Sequence, residues 1–408
     1  MSQASKSNCE HGRPYRLDCQ VQHYEWGARG DRAYISHLIG KTAEEDLAYA
    51  ELWMGAHPNA PSMVISLDDD KLDLASWISQ DPESSLGQET NLNHSGQLPY
   101  LFKVLSAEKA LSIQAHPNRD QAKRLHLADP QHYPDTNHKP EIAIALDFLD
   151  ALVGFISHSA FVDLLDQLPP LKQLLSRSSE TTNSLENAVK YILQSSTSNS
   201  EVIKDCLTGI HQHIRSKQQQ NDLEQLFLSE YEEYGPSDVG LLFLFLLNRI
   251  RLSPGEAIFL PPGVPHAYLK GNIVECMANS DNVVRLGLTP KFCDAPTLKE
   301  ILDFSQGLNY SVETSSDGFL TEYLTPAKEF RVKSLALLEG ESRAFSYRSG
   351  LTMFLVVEGE TALKWGDDNQ LCSCMYRRGN VFIVPATLSQ FTIHSKSHCK
   401  LFLVDIPV

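Results

Sequence analysis

Four residues in three separate stretches have the chemistry of a metal centre: Gln114 and His116 in "ALSIQAHPNRD" (110–120), Glu141 in "NHKPEIAIAL" (137–146), and His266 after "LPPGVP" (260–265). In the first stretch apolar Leu111, Ile113 and Ala115 alternate with polar Ser112, Gln114 and His116, which is the period of a strand. Two apart on a strand, Gln114 and His116 project from one face, close enough to share an ion. Glu141 has Lys139 at i−2, while Ile142, Ile144 and Leu146 take the opposite face. Two imidazoles, a carboxylate and an amide oxygen make a mixed nitrogen and oxygen set, which suits a catalytic zinc or another divalent ion. On spacing alone, plainer roles stay open. A lone strand histidine is commonly hydrogen-bonded structure or surface, and a Lys139–Glu141 pair is ordinary at a surface.

The stretch "ECMANSDNVVRLGLTPKF" (275–292) adds a cation in an unusual place, because Arg285 sits between Val284 and Leu286 in an apolar run. A guanidinium aimed inward is costly unless an anion meets it. Either a ligand anion or an acid of the chain such as Glu275 fills that role, and the spacing does not choose. Lys103 in "YLFKVLS" and Lys291 after "LTP" are further cations. A cavity holding a divalent ion and several cations suits a small phosphorylated substrate.

The elements that must position these residues fall into three parts. Residues 15–155 carry short runs rich in β-branched and aromatic residues between turn formers, which predicts strands. From about Phe161 to Asn248 the period changes to that of helices, as in "LENAVKYILQ" and "SEVIKDCLTGIHQHIRSK". Strands return at "GEAIFLPPGVPHAYL" and continue to the end, with one helix expected at "APTLKEILDFSQ". A weak internal repeat aligns "PGEAIFLPPGVPH" (254–266) with "RGNVFIVPATLSQ" (378–390), placing Gly255 on Gly379, Pro261 on Pro385 and His266 on Gln390. Read as two antiparallel strands joined by a tight turn, each copy resembles a unit of a double-stranded β-helix, or cupin, barrel. The expected fold is mainly β with a helical insert: a catalytic cupin domain from 1–155 and 254–330, a helical domain from 156–253, and a C-terminal cupin-like domain, free of metal, from 331–408.

The totals set bounds. At 408 residues the chain exceeds one ordinary hydrophobic core. A formal net charge of −16 argues against a general binder of nucleic acid or anionic membrane. The polar start lacks the apolar core of a secretory signal, and the longest apolar run, "LLFLFLL" (241–247), is too short to span a bilayer. The eight cysteines show no zinc-ribbon or C-x-x-C spacing, as expected of reduced thiols in the cytoplasm.

Several long motifs, in order, resemble the type I mannose-6-phosphate isomerases: "YEWG" (24–27), "AELWMGAHPNAPS" (50–62), "LFKVLSAEKALSIQAHPN" (101–118), "YPDTNHKPEIAIAL" (133–146), "PPGVPHAYLKG" (261–271) and "ECMANSDNVVRLGLTPK" (275–291). The resemblance implies one zinc ion per chain on Gln114, His116, Glu141 and His266, with Arg285 as the essential arginine. It also implies a reaction: interconversion of mannose 6-phosphate and fructose 6-phosphate through a cis-enediol, supplying activated-mannose synthesis. For the base, Glu275 and Lys139 are favoured over His138, which alternation puts on the face opposite Glu141. Tyr268, Ser112, Trp26, Lys103 and Lys291 are candidate substrate contacts. A monomer acting on a small sugar phosphate is expected. The departures are Leu286, where the family usually has alanine, and the variant loop "PNAPS". A different class, a metal-binding cupin that senses sugar phosphate without catalysis, is the alternative; an iron oxygenase would normally leave the Gln114 position open for oxygen.

Overall fold

The computed structural model describes residues 12–178, 184–304, 309–346, 350–367 and 370–407. Two long strands, Glu141–Phe155 and His266–Ala278, run through both walls of the site-bearing unit. They pair antiparallel over their whole length, with register shifts between Tyr268 and Lys270 and between Gly271 and Ile273. At that break both strands turn a corner, as strands do at bulges. The Asp147 carboxylate accepts from the Asn272 backbone N–H at 3.1 Å and from its side-chain amide at 2.5 Å. Gly271, at φ 130, has the Phe148 carbonyl where a Cβ would lie.

On one side of the corner lie Ala257–Leu260, Tyr100–Ala107, Glu51–Gly55 and Gln20–Gln22. On the other lie Leu247–Leu252, Ile113–Ala115 and Val284–Gly287. Folding the ladder back brings together residues from its opposite ends. His266 is opposite Val153 and Glu141 opposite Met277, yet Glu141 and His266 meet across the interior. Small Ala143 and Ala145 share the Glu141 face and leave room inside the fold; Ile142 and Ile144 point the other way, into the core shared with the C-terminal sheet. This is the cupin fold expected from the sequence, although none of its sheets closes into a barrel.

Helices run from His158 to Leu246 and bury an apolar cluster that includes Phe161, Leu171, Ile192, Ile210, Phe227 and Phe243. Ile113, Ala115, Val284 and Leu286 join the same cluster, so the outer face of the site-bearing strands rests on the helices. Leu286 is thereby explained: it is only 2% exposed and fills the contact. Residues 247–252, within the stretch expected to be helical, are instead a strand, because hydrogen bonding to Leu149–Phe155 overrides their local pattern.

The C-terminal part has two sheets packed through Phe354, Phe382, Leu363 and Ile393. One continues into N-terminal strands, with Tyr15–Asp18 lying between Val381–Val384 and Met63–Ile65. The sequence repeat is visible as Ala257–Leu260 with His266 opening the next strand, and Val381–Val384 with Gln390 opening the next. The expected hairpin is absent in both copies. Ala257–Leu260 pairs with Glu141–Ile144, while the strand from His266 pairs with other residues. Val381–Val384 pairs with Thr352–Leu355, whereas Gln390–Ser395 belongs to the second sheet. Each proline-bearing link makes a tight turn, closed by Val264 N–H to the Pro261 carbonyl at 3.4 Å and by Leu388 N–H to the Pro385 carbonyl at 3.1 Å, but the strands on its two sides pair with different partners, so it carries the chain from one wall to the other.

Candidate metal centre

His116, Glu141 and His266 are all buried, and their ligand atoms lie within 4.8 Å of one another. His116 Nε2 is 3.3 Å from Glu141 Oε1 and His266 Nε2 is 3.5 Å from Glu141 Oε2. Each imidazole is fixed from behind. The His116 Nδ1 donates to the Asn282 carbonyl at 2.9 Å and the His266 Nδ1 to the Val264 carbonyl at 3.0 Å. With both Nδ1 positions committed as donors, both Nε2 lone pairs face the centre, which is the arrangement of metal-ligating histidines. Among the described residues, His116 Nε2, His266 Nε2 and Glu141 Oε2 are buried without a hydrogen-bond partner. Orphaned acceptors at this depth are costly, and a divalent cation among them removes the cost.

The protonation states agree with this reading. Burial pulls the His116 imidazole down to about 4, although the Glu141 carboxylate works against it, so the ring is neutral at pH 7. Burial opposes the charge on Glu141, but the carboxyl is held well below its usual range, with the Lys139 ammonium, Nζ 3.4 Å from Oε1, among the groups that favour the ionised form. Gln114 stands in the same row. It is directly opposite His266 on one side and Arg285 on the other, so the three side chains share a face. The Ser112 hydroxyl donates to the Gln114 amide oxygen at 3.4 Å.

The facing wall carries a buried charge network. Lys103 Nζ donates to Glu275 Oε2 at 3.0 Å, lies 3.4 Å from Glu51 Oε2, and sits over the Trp53 ring. Burial alone would lower Lys103, but Glu275, Glu51 and Glu141 more than reverse that and hold its pKa above the usual lysine range. The Tyr268 hydroxyl donates to Glu275 Oε1 at 3.1 Å. Burial, reinforced by Glu141 and Glu51 and opposed by Lys103, raises the Glu275 carboxyl. Lys139 is also buried, with Nζ 3.4 Å from Glu141 Oε1.

Arg285 does not pair with the acid that its spacing offered. Glu275 is taken up by Lys103 and Tyr268, and among the described residues no carboxylate lies within ion-pair distance of Arg285. Burial pulls its guanidinium below the usual value. Lys291, exposed, lies over the Tyr24 ring, and Tyr24 stacks with half-buried Trp26. Burial and the nearby Arg285 charge lower Lys291.

Several residues were not legible as part of the site. Glu51 and Trp53 line it, with the Trp53 indole donating to Glu51 at 2.5 Å; the alternation in "AELWMGA" was the available signal. His57 Nε2 lies 3.2 Å from Asp281 Oδ1. Asn282, whose carbonyl anchors His116, is itself tied by its side-chain amide to the Asp135 and Asn137 carbonyls at 2.8 and 2.9 Å. The polar loop "NSDN" after the largely apolar run "IVECMA" hinted at such a role.

His138 points away from Glu141, as alternation indicated, and donates to Glu329 Oε1 at 2.7 Å. Arg119 donates to the same oxygen at 2.9 Å. One carboxylate thus ties down the chain three residues after His116 and three before Glu141. Burial opposes its charge, but His138 and Arg119 hold Glu329 at about 2 against an ordinary 4.5. A depressed folded-state pKa adds stability that is complete above the unfolded value and lost as pH falls through the folded one. The urea midpoint of the wild type should therefore exceed that of Glu329→Gln by a constant amount above about pH 5, with the gap closing towards pH 2. A gap that does not narrow over that window would show that the ionised carboxylate contributes nothing.

A family model described as phosphomannose isomerase type I, catalytic domain, matches residues 15–158. The mannose-6-phosphate isomerase of Bos taurus is 40% identical over 348 residues, covering 78% of this chain and 81% of that protein. The human mannose-6-phosphate isomerase is 38% identical over 348 residues, covering 78% and 81%. Among solved structures, an arginine-to-alanine variant of phosphomannose isomerase from Salmonella typhimurium matches with a TM-score of 0.85 and 29% identity, covering 97% of this chain and all of that one. A mannose 6-phosphate isomerase bound with zinc and yttrium matches with a TM-score of 0.83 and 29% identity over the same shares.

Proposed function

This chain belongs to the type I phosphomannose isomerases, and on that premise we propose that it interconverts mannose 6-phosphate and fructose 6-phosphate, using one zinc ion held by Gln114, His116, Glu141 and His266. The observation that carries the proposal is the trio of buried ligand atoms, His116 Nε2, His266 Nε2 and Glu141 Oε2, that have no hydrogen-bond partner among the described residues. An aldose–ketose exchange moves a proton between neighbouring carbons through a cis-enediol, whose oxygens gather negative charge. When bound, the zinc supplies Lewis-acid stabilisation for that charge.

The chain's own residues supply the rest. Arg285, half-buried and with no carboxylate within ion-pair distance among the described residues, orients the substrate oxygens, and exposed Lys291 beside it meets the phosphate. Lys139 carries the proton: having released its own proton to solvent, its neutral amine takes the proton from C2 and returns it to C1. It is buried at the centre and, among the described residues, has one carboxylate within ion-pair distance, whereas both Glu275 oxygens already accept hydrogen bonds. Glu275, Lys103 and Tyr268 form the rigid wall against which the sugar lies, with Trp26 and Tyr24 along its edge. Ser112 holds the Gln114 amide in position.

The reading extends to a monomeric chain in the cytoplasm whose product enters activated-mannose synthesis and glycosylation. No helix among the described residues is long and apolar enough to cross a membrane. Turnover in deuterium oxide tests the proton route. Fructose 6-phosphate formed from mannose 6-phosphate should carry solvent deuterium at C1 after many turnovers; product free of solvent label would point to direct hydride transfer instead.

A further inference from the structure

Between Arg285 and Lys291 the chain leaves regular geometry. Pairing with Ile113–Ala115 shifts register between Arg285 and Gly287. Gly287 then presses on the helical part, and a Cβ there would meet the Gly240 backbone nitrogen at 2.5 Å and collide with the Asp238 carboxylate. Leu288 follows in the left-handed region at φ 54, a conformation that a non-glycine residue adopts only where its surroundings hold it.

Asp238 holds this turn. Its Oδ2 accepts from the Leu288 backbone N–H at 2.9 Å and its Oδ1 from the same N–H at 3.1 Å, while Oδ1 also accepts from Gly240 N–H at 2.8 Å. The Leu286 and Leu288 side chains are buried in the helical cluster on either side of the contact. A carboxylate from the helical segment therefore fixes the irregular turn between Arg285 and Lys291, two cations that have no carboxylate within ion-pair distance among the described residues.

We propose that Asp238 is a positioning residue for substrate binding: by fixing the left-handed turn at Leu288 it sets the placement of Lys291 relative to Arg285, and so the affinity for the phosphate group. The inference rests on the reading of those two cations as the phosphate-binding end. A purely structural role, capping the short helix Gly240–Leu246, makes a different expectation. Loss of a cap lowers stability without altering affinity, whereas displacement of the cations weakens binding and leaves the chemistry intact.

The test compares wild type, Asp238→Ala, Asp238→Asn and Lys291→Ala as zinc-loaded full-length protein, measuring KM and kcat for mannose 6-phosphate and the inhibition constant of inorganic phosphate. Asp238→Ala should raise both KM and the inhibition constant about tenfold, and Asp238→Asn, which keeps one acceptor oxygen, about threefold. The kcat should stay within about twofold and the zinc content should match wild type. Wild-type KM and inhibition constant in either folded Asp238 variant, with only the melting temperature lowered, would overturn the proposal; should the alanine variant fail to fold, the asparagine variant decides alone. Lys291→Ala separates the two levels. If it weakens phosphate and the Asp238 variants do not, the positioning role fails and the binding reading stands. If Lys291→Ala also leaves phosphate binding unchanged, the binding reading fails, and the positioning role with it.

Discussion

Glu141→Ala should lose bound zinc and turnover together, with the rate falling at least about a thousandfold. Glu141 is the only carboxylate of the cluster, and both its oxygens face imidazole nitrogens, at 3.3 and 3.5 Å. Removing it leaves two neutral imidazoles and an amide, a set with no charge to offset a divalent ion in a buried site. It also leaves the buried Lys139 ammonium without its carboxylate neighbour. Glu141→Gln keeps the shape and one oxygen but not the charge, and should bind zinc more weakly than wild type while folding normally. Elemental analysis of purified protein and the rate on mannose 6-phosphate are measured on the same sample. Zinc retained at wild-type stoichiometry in the alanine variant, with a rate within tenfold, would mean that the ligands are misassigned.

Lys139→Ala should separate chemistry from metal binding. A proton-carrying group contributes about a hundred- to ten-thousandfold, so kcat should fall by that order while KM moves little. Zinc should stay, because Lys139 is no ligand of the centre but an ion-pair neighbour of Glu141 at 3.4 Å. The comparison with Glu275→Gln is informative: Glu275 is locked between Lys103 and Tyr268, so its loss disturbs a wall of the pocket and should affect KM and stability as well. A Lys139→Ala enzyme with nearly wild-type kcat would move the proton-transfer role to Glu275.

What the sequence made legible was local. Alternation placed Gln114 with His116, Lys139 with Glu141, and His138 on the opposite face, because period two is a property of a single strand. The helical segment was likewise visible from its own period. What was not legible depends on pairing between distant segments. The row of Arg285, Gln114 and His266 is set by three strands lying side by side, and the meeting of Glu141 with His266 depends on a corner at Gly271. The repeat was visible as a pattern, but its reading as a hairpin failed because the proline-bearing link crosses between walls instead of turning back. Glu51 escaped notice since a lone acid in a short strand resembles any edge residue, and its function appears only beside Lys103 and Trp53. Asp238 lies in "YGPSD", which composition reads as a plain turn; only the fold sets it against Leu288.

The central claim is that this chain is a metal-dependent isomerase working through the centre formed by Gln114, His116, Glu141 and His266. The most direct test measures fructose 6-phosphate formed from mannose 6-phosphate by the purified wild type as isolated, after exhaustive chelation, and after one equivalent of zinc is returned. Turnover should vanish on chelation and return with the zinc. No fructose 6-phosphate from metal-replete protein, or an undiminished rate after the metal has been shown to be gone, would contradict the claim.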